Sequence, residues 1–204
     1  MNLKNEDLLN KQKKTVKNIM DNLLKNILPD NRAEEFLSAG KNKSLKTTEL
    51  FVRIGDIPTK IAFVYSGLFR YVYVNDKGDE LTKGLIAENN FLSSYSAMIL
   101  KEPARFFIEA LENSEILEIK WTSIEELMNK DIFWVRFVLK FVEKAFIIKE
   151  KRERDLLLLD AGTRYNNFLK EFPGMNQRIT QNIIASYLGI KPETLSRIRR
   201  KIIF

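Results

Sequence analysis

Cysteine and histidine are both absent from the 204 residues of this chain. The lack of cysteine excludes disulfides, thiolate zinc sites, cysteine-ligated iron-sulfur clusters and a cysteine nucleophile. The lack of histidine removes the commonest metal ligand, the commonest general base and the usual axial ligand of haem. We therefore expect no metal site and no cofactor, and among enzymes only chemistry based on carboxylates or lysine.

Long apolar runs are also missing. No stretch approaches the roughly 18 to 20 apolar residues that a membrane-spanning helix needs, and the segment Met1–Lys17 lacks the apolar middle of a signal peptide. This pattern predicts a cytoplasmic protein without a membrane partner. Because 45% of the residues are hydrophobic, the chain can form a packed core.

The positive charge of the chain is concentrated at one end. The formal net charge is +7, from 34 Lys and Arg against 27 Asp and Glu. Residues 175–204 carry +5 of it, since they contain one acid, Glu193, and six basic residues: Arg178, Lys191, Arg197, Arg199, Arg200 and Lys201. A localised excess of this kind indicates a polyanion partner more strongly than the bulk charge does.

The first 130 residues change from a helical to a strand pattern. Apolar spacing predicts an amphipathic helix over Leu8–Leu28 and a short one over Arg32–Ala39. From about Leu45, short apolar runs separated by turn residues predict antiparallel strands in a sandwich or barrel, with a hairpin turn at Asn75–Gly78. The runs are Leu50–Ile54, Ile61–Tyr65, Leu68–Val74, Leu81–Ile86, Phe106–Leu111 and Ile116–Ile119.

A long helix follows. A helix start is expected at Thr122 or Ser123, and the stretch Ile132–Leu159 contains neither Gly nor Pro. A seam at a mean spacing of 3.5 residues predicts that two copies of this helix pair in a homodimer. The seam consists of Trp134, Val138, Phe141, Ala145 and Ile148, whereas Phe133, Phe137, Leu139 and Phe146 are expected to contact the β-domain. The alternative is that the seam itself packs against the chain's own β-domain.

The stretch Gln181–Arg200 has the spacing of a helix-turn-helix. Ala185 is small where the second helix crosses, and Gly189 allows a sharp turn that a β-carbon would obstruct. Thr180 is placed to cap the first helix, and Pro192 suits the first turn of the second. The apolar or small positions are Ile184, Ala185, Leu188, Gly189, Ile190, Leu195 and Ile198.

The polar residues of this motif are candidate contacts to DNA. Arg197 can pair bidentately with guanine, Glu193 can accept a hydrogen bond from cytosine N4, and Lys191 is the third base-contact candidate. Candidate phosphate contacts are Thr180, Gln181, Thr194, Ser196, Arg199, Arg200 and Lys201. The alternative is an ordinary helical hairpin with a solvated basic face.

These residues, and the order of helix, β-domain, long helix and helix-turn-helix, resemble the Crp/Fnr (cyclic-AMP receptor protein) family of bacterial transcription regulators. The resemblance rests on Phe51–Gly55, Phe63–Arg70, Asp76–Glu80, Ile108–Glu112 and Ile179–Arg200. It implies an α+β fold with an antiparallel β-roll sensor (a cyclic-nucleotide-binding-like double-stranded β-helix) over 1–130. A dimerisation helix over 131–159 and a winged-helix-like DNA-binding domain over 160–204 would follow, with a hinge at Asp160–Thr163. The implied partners are double-stranded DNA, a second copy, RNA polymerase and an unidentified small-molecule effector.

Two features depart from that family. Nucleotide-binding members use a Gly-Glu pair and an Arg followed by Ser or Thr, whereas the corresponding residues here are Ser93, Ser94 and Tyr95, with Arg105 followed by Phe106. A retained effector pocket would use Ser93, Ser94, Tyr95 and Arg105, and would not bind cyclic AMP in the usual way. In addition, only Ile202–Phe204 follow the second helix, so we expect either that the hairpin wing is absent or that the sequence stops before it.

Three functions stay open at this point. The preferred one is a homodimeric, sequence-specific DNA-binding regulator with no enzymatic activity. The second is a regulator that responds to a cyclic nucleotide through an altered pocket. The third is a small β-barrel enzyme of the cupin type, which is disfavoured because such sites usually bind their metal through histidines.

Overall fold

The computed structural model describes residues 28–203. The helix expected over Leu8–Leu28 lies outside this range except for Leu28, whose side chain is buried. Within the range there are eight helices and eight strands. In chain order they are α1 (Asp30–Ser38), β1 (Gly40–Leu45), β2 (Leu50–Val52), β3 (Lys60–Ser66), β4 (Phe69–Val74), β5 (Glu80–Ile86), β6 (Phe91–Leu92), α2 (Tyr95–Leu100), β7 (Phe107–Ala110), β8 (Ser114–Lys120), α3 (Trp121–Lys130), α4 (Ile132–Leu158), α5 (Ala161–Glu171), α6 (Met175–Arg178), α7 (Gln181–Leu188) and α8 (Pro192–Ile203).

The strands form two four-stranded antiparallel sheets, which together make the expected β-roll. The strand order is β1-β8-β3-β6 in one sheet and β2-β7-β4-β5 in the other. The six predicted strands are all present. The prediction missed β1 and β6, because β1 is an edge strand with four consecutive exposed residues and β6 has only two residues. Neither therefore carries an apolar alternation that a sequence pattern can reveal.

The hairpin turn between β4 and β5 forms where the sequence predicts it. The side-chain oxygen of Asn75 accepts hydrogen bonds from the backbone N–H groups of Lys77 (3.0 Å) and Asp79 (2.9 Å). Gly78 has φ = +83°, a conformation that costs glycine little. The turn is therefore stabilised by the local chemistry of its own residues.

Two buried clusters hold the β-roll and join it to the long helix. The first lies between the sheets and includes Val64, Phe69 and Ile108. The second joins β3 and β8 to the helices, and in it Phe36 of α1 stacks on Trp134 of α4 with ring centroids 5.7 Å apart. The first half of α4 is thereby fixed to the β-roll.

Helices α3 and α4 are separated by one extended residue. Helix α3 begins at Trp121, one or two residues before the predicted start at Thr122 or Ser123. Asp131 has φ = −154°, and its carboxylate caps α4 by accepting from the Phe133 N–H at 2.9 Å. Helix α4 then runs for 27 residues, close to the 28 expected. None of the helices described between residues 28 and 203 has both the length and the apolar composition needed to cross a bilayer.

Helices α5–α8 (residues 161–203) form a second unit, which we call the reading unit. Asp160 separates it from α4 and caps α5, because its Oδ1 accepts from the N–H groups of Gly162 (2.8 Å) and Thr163 (3.0 Å). Helix α8 continues as far as Ile203, so no hairpin wing follows it within the described residues. A hinge at Asp160–Thr163 stays a prediction.

Candidate nucleic-acid interface

The turn between α7 and α8 has the backbone geometry that the sequence implies. The hydroxyl of Thr180 caps α7 by accepting from the Ile183 N–H at 3.4 Å. Gly189 ends the helix with φ = +67°, and the Ile190 N–H then donates to the Ala185 carbonyl at 3.0 Å. A β-carbon at Gly189 would lie 3.2 Å from Leu156 of α4. Glycine is therefore favoured here both by its φ angle and by the closeness of α4.

The apolar wedge between the two helices is assembled as expected. Ile184, Ala185 and Leu195 are completely buried, and Leu188 nearly so. Ile190 and Ile198 are partly buried against the same cluster. Because the wedge fixes which side of α8 faces inward, the polar side chains of that helix are directed outward.

The outward face brings together several of the predicted DNA contacts. One open depression of about 430 Å³ is lined by Gln181, Pro192, Glu193, Ser196, Arg197 and Arg200. Lys191 and Lys201 are exposed outside this lining, whereas Thr194 and Arg199 are half-buried. Thr180 is exposed next to Gln181, and its hydroxyl caps α7. Among the described residues, no ion pair within 4 Å neutralises a charged side chain of α8.

Arg178 belongs to the basic segment but lies away from this face. Its guanidinium bonds Glu88 at 2.7 and 3.2 Å, and it also contacts Glu112. These two carboxylates, Glu112 first, raise the pKa of Arg178 above its ordinary value. The charge of Arg178 is therefore directed at the β-roll, and the charge count alone could not distinguish it from Arg197.

The predicted dimer seam is corrected by the structure. Trp134 is 1% exposed, and Val138 and Phe141 pack against the same cluster as Trp134, so these three contact the chain's own β-domain. Ala145 and Ile148 continue that side of α4 beyond the β-roll and are exposed. For the first three residues this is the alternative that the sequence left open, and pairing through Ala145 and Ile148 stays a prediction.

A different side of α4 is apolar and uncovered. Ile132, Leu139 and Phe146 are 61%, 51% and 63% exposed. Leu139 and Phe146 therefore do not contact the β-domain as expected, although Phe133 and Phe137 do. Together with Val135 and Val142 the uncovered residues recur at spacings of three and four. We call this set the open stripe: Ile132, Val135, Leu139, Val142 and Phe146.

The four predicted effector-pocket residues have different environments. Ser94 is fully buried at the start of α2, and its hydroxyl has no hydrogen-bond partner among the described residues. Ser93 is half-buried and its hydroxyl donates to the Lys60 carbonyl. Tyr95 is exposed and contacts Trp121 edge to face, and Arg105 is exposed.

Three residues that the sequence analysis missed fill the space beside Ser93. Tyr71 stacks on Phe106 with centroids 5.4 Å apart, and its hydroxyl accepts from the Ser93 N–H at 3.1 Å. The ammonium of Lys83 lies 3.9 Å from the centroid of the Phe106 ring. The only sequence signal for this cluster was the lone lysine inside the apolar run Leu81–Ile86. Its ring partners, Tyr71 and Phe106, lie elsewhere in the chain and could not be assigned to it.

Burial changes the titration of two of these groups. Burial raises the pKa of Tyr71 to about 12, although the hydrogen bond from Ser93 opposes the shift. Burial, with a smaller effect from Lys149 of α4, lowers the pKa of Lys83 below its ordinary value. The site therefore combines stacked rings with an ammonium that is held partly out of water.

Comparison with known proteins is consistent with this geometry. Residues 42–131 match the family of the cyclic nucleotide-binding domain. No curated protein sequence matches the chain.

Several solved structures share this fold at low sequence identity. FixK2 from Bradyrhizobium japonicum is 18% identical with a TM-score of 0.70, over 80% of this chain and 84% of that one. The c-di-GMP responsive global regulator CLP from Xanthomonas campestris is 18% identical with a TM-score of 0.68, over 83% and 89%. The Catabolite Activator Protein of Thermus thermophilus is 18% identical with a TM-score of 0.54, over 89% and 86%.

Proposed function

Because residues 42–131 form a cyclic nucleotide-binding domain within the fold of the Crp/Fnr regulators, we propose that the chain is a transcription regulator that binds double-stranded DNA through α8. The observation that carries the proposal is the outward face of α8. Its charged side chains form no ion pair with the part of the chain that the structure describes, and the buried wedge sets their direction. The fold adds support, since neighbours such as CLP are described as regulators.

We assign separate roles to the residues of that face. Arg197, beside the depression, is placed to pair with guanine, and Glu193, one turn earlier, to accept from cytosine N4. Lys191 is the third base contact, at the start of the helix, where recognition helices approach base edges. Phosphate contacts are assigned to Thr180, Gln181, Thr194, Ser196, Arg199, Arg200 and Lys201.

The active form is a homodimer that pairs through the open stripe. The stripe repeats at the spacing that two wrapped helices require, and its exposed side chains would lose water-accessible apolar surface on pairing. Two copies of α8 related by a two-fold axis would contact two half-sites of a palindromic operator, about one helical turn apart or a multiple of it. A contact with RNA polymerase stays a prediction of the family resemblance.

The β-roll of this regulator does not bind cyclic AMP in the usual way. Tyr71, Lys83 and Phe106 fill the space beside Ser93, and the Tyr71 hydroxyl already occupies the Ser93 N–H. Arg105, the only arginine available for a cyclic phosphate in that part of the sequence, is exposed. The second candidate, a cyclic-nucleotide sensor with an altered pocket, is favoured only by the domain match over residues 42–131.

A paired comparison of basic residues tests the DNA interface. The variant Arg200→Ala/Lys201→Ala removes two exposed charges that are assigned to phosphates from α8, and Lys140→Ala/Lys170→Ala removes two exposed charges elsewhere. We expect the first variant to bind duplex DNA much more weakly and to reduce the slope of log affinity against log salt concentration by about 2, because each phosphate contact releases counterions. Equal losses in the two variants would show that α8 is not the interface.

A further inference from the structure

Strand β5 is the outer strand of its sheet, and the reading unit covers its free edge. An edge strand presents backbone N–H and C=O groups that no neighbouring strand satisfies. Here the Thr82 N–H donates to the Ser186 hydroxyl of α7 at 2.8 Å, and that hydroxyl donates to the Glu80 carbonyl at 3.1 Å. One side chain of the helix-turn-helix thus satisfies two backbone groups of the sensor domain.

Helix α4 contributes to the same place. The guanidinium of Arg152 donates to the Thr82 carbonyl at 3.1 Å and lies 4.0 Å from the ring centroid of Tyr187, which is on α7. Arg152 therefore joins three elements, α4, α7 and β5. A guanidinium stacked on a ring and shielded from water contributes more than an exposed one.

The apolar core of the reading unit also extends into the β-roll. Leu68 and Leu85 are buried in the same cluster as Ile179, Ile184 and Leu188. Leu68 is completely buried, and Ala87 and Leu111 pack against the cluster from the β-roll side. Separation of the two units would return this apolar surface to water.

Arg178 adds an ionic bridge at the other end of the contact. It lies between Glu88, in the β5–β6 loop, and Glu112, in the β7–β8 turn. The Glu88 carboxylate also accepts from the Gly67 N–H at 3.1 Å. Burial opposes the charge on Glu88, but its hydrogen bonds from Arg178 and Gly67 outweigh burial and lower its pKa. Charged, bidentate contacts of this kind fix orientation as well as proximity.

All of these contacts use the side of the helix-turn-helix that faces away from the candidate DNA face. Ser186 and Arg178 contact the β-roll and Tyr187 contacts Arg152 of α4, whereas Glu193 and Arg197 remain exposed. We propose that the contacts of Ser186, Arg152 and Arg178 with the β-roll are a clamp that holds the helix-turn-helix in its DNA-reading orientation. The consequence for DNA rests on the proposed function, whereas the existence of the clamp does not.

Hydrogen exchange at one amide tests whether the clamp forms. The Thr82 N–H should exchange about 5- to 10-fold faster in Ser186→Ala than in the full-length wild-type chain, because its acceptor is lost. Asn182→Ala, an exposed change on the same helix, should leave the rate unchanged. An unchanged rate in Ser186→Ala would overturn the clamp.

A charge exchange tests what the clamp does. Arg178→Glu should weaken binding to a sequence-selected duplex at least about 10-fold more than Lys170→Glu, which alters the net charge equally at an exposed site. Arg178→Glu/Glu112→Arg should restore part of the loss, because it recreates the ion pair between residues 178 and 112 at unchanged net charge, although Glu88 then faces a carboxylate. Equal losses for Arg178→Glu and Lys170→Glu would overturn the role in DNA reading, and tighter binding by Arg178→Glu would make the clamp inhibitory instead.

These two measurements separate the clamp from the proposed function. If neither the wild type nor any variant discriminates between DNA sequences, the proposed function fails. The exchange rate of the Thr82 amide still decides in that case whether the clamp exists, because no DNA is present in that experiment.

Discussion

Arg197 and Arg178 have the same side chain but different environments, and at the scale of the residue the environment sets the role. Arg197 is exposed beside an open depression, whereas Arg178 lies between two carboxylates of the β-roll. Arginine at an exposed helix position can form a bidentate pair with a base, and arginine that is already paired cannot do so without losing its partners. We therefore expect replacement of Arg197 to change the preference for a base pair, and replacement of Arg178 to weaken the contact with the β-roll.

Base discrimination is the first prediction at this scale. On a duplex obtained by selection, Arg197→Ala should lose about 1 to 3 kcal/mol of preference at one base pair, because one bidentate contact is removed. Lys201→Ala should weaken all duplexes to a similar extent, as expected for a phosphate contact. Fluorescence anisotropy with single-base variants of the duplex measures both effects. A uniform loss across the duplexes for Arg197→Ala would contradict its assignment to a base.

Ligand binding is the second prediction at this scale. Titration calorimetry with cyclic AMP and with cyclic GMP should give no binding, because Tyr71, Lys83 and Phe106 occupy the space beside Ser93. Dissociation constants in the micromolar range would instead support the altered-pocket sensor.

At the scale of the element, helix α4 has two apolar sides with different partners. One side carries Trp134, Phe137 and Phe141, which pack with Phe36 and Phe91. The other is the open stripe. The sequence predicted the length of the helix, its two apolar faces and the contact of Phe133 and Phe137 with the β-domain. It placed Trp134, Val138 and Phe141 in the dimer seam, whereas they pack against the chain's own β-domain. Both faces repeat at nearly the same period, so only the position of the β-roll distinguishes them.

The oligomeric state tests which side pairs. Phe146→Glu should raise the dimer dissociation constant roughly 30-fold or more, about 2 kcal/mol, because it places a charge in the pairing surface. Ile148→Glu, a similar change on the side first predicted as the seam, should have little effect. Sedimentation velocity over a concentration series measures both. A strong effect of Ile148→Glu with none from Phe146→Glu would return the seam to its predicted position.

At the scale of the whole molecule, the β-roll, α4 and the reading unit are joined by direct contacts. Local patterns predicted most of the strands, the β4–β5 turn and the helix-turn-helix, because each depends on residues close in the sequence. The contacts that connect these parts were not predictable. Ser186 and Thr82 are 104 residues apart, and no sequence motif predicts that they contact each other.

The pH dependence of stability is a prediction for the whole molecule. The Lys60 ammonium lies 2.6 Å from the Glu118 carboxylate; burial opposes the charge on Glu118, but the contact with Lys60 outweighs burial and lowers its pKa. A lowered pKa means that the stabilisation is present above about pH 4.5 and is lost as the pH falls through the folded-state pKa. Urea unfolding from pH 7 to pH 3 should therefore show a decline in the free energy of unfolding. The decline should be smaller in Glu118→Gln, and an equal decline would remove Glu118 from this explanation.

Selection from a random-sequence duplex pool tests the central claim most directly. The full-length chain should enrich one motif well above non-specific binding, and the motif should be an inverted repeat with half-site centres one helical turn apart or a multiple of it. A pool with no common motif after repeated rounds would contradict the claim that α8 reads DNA sequence.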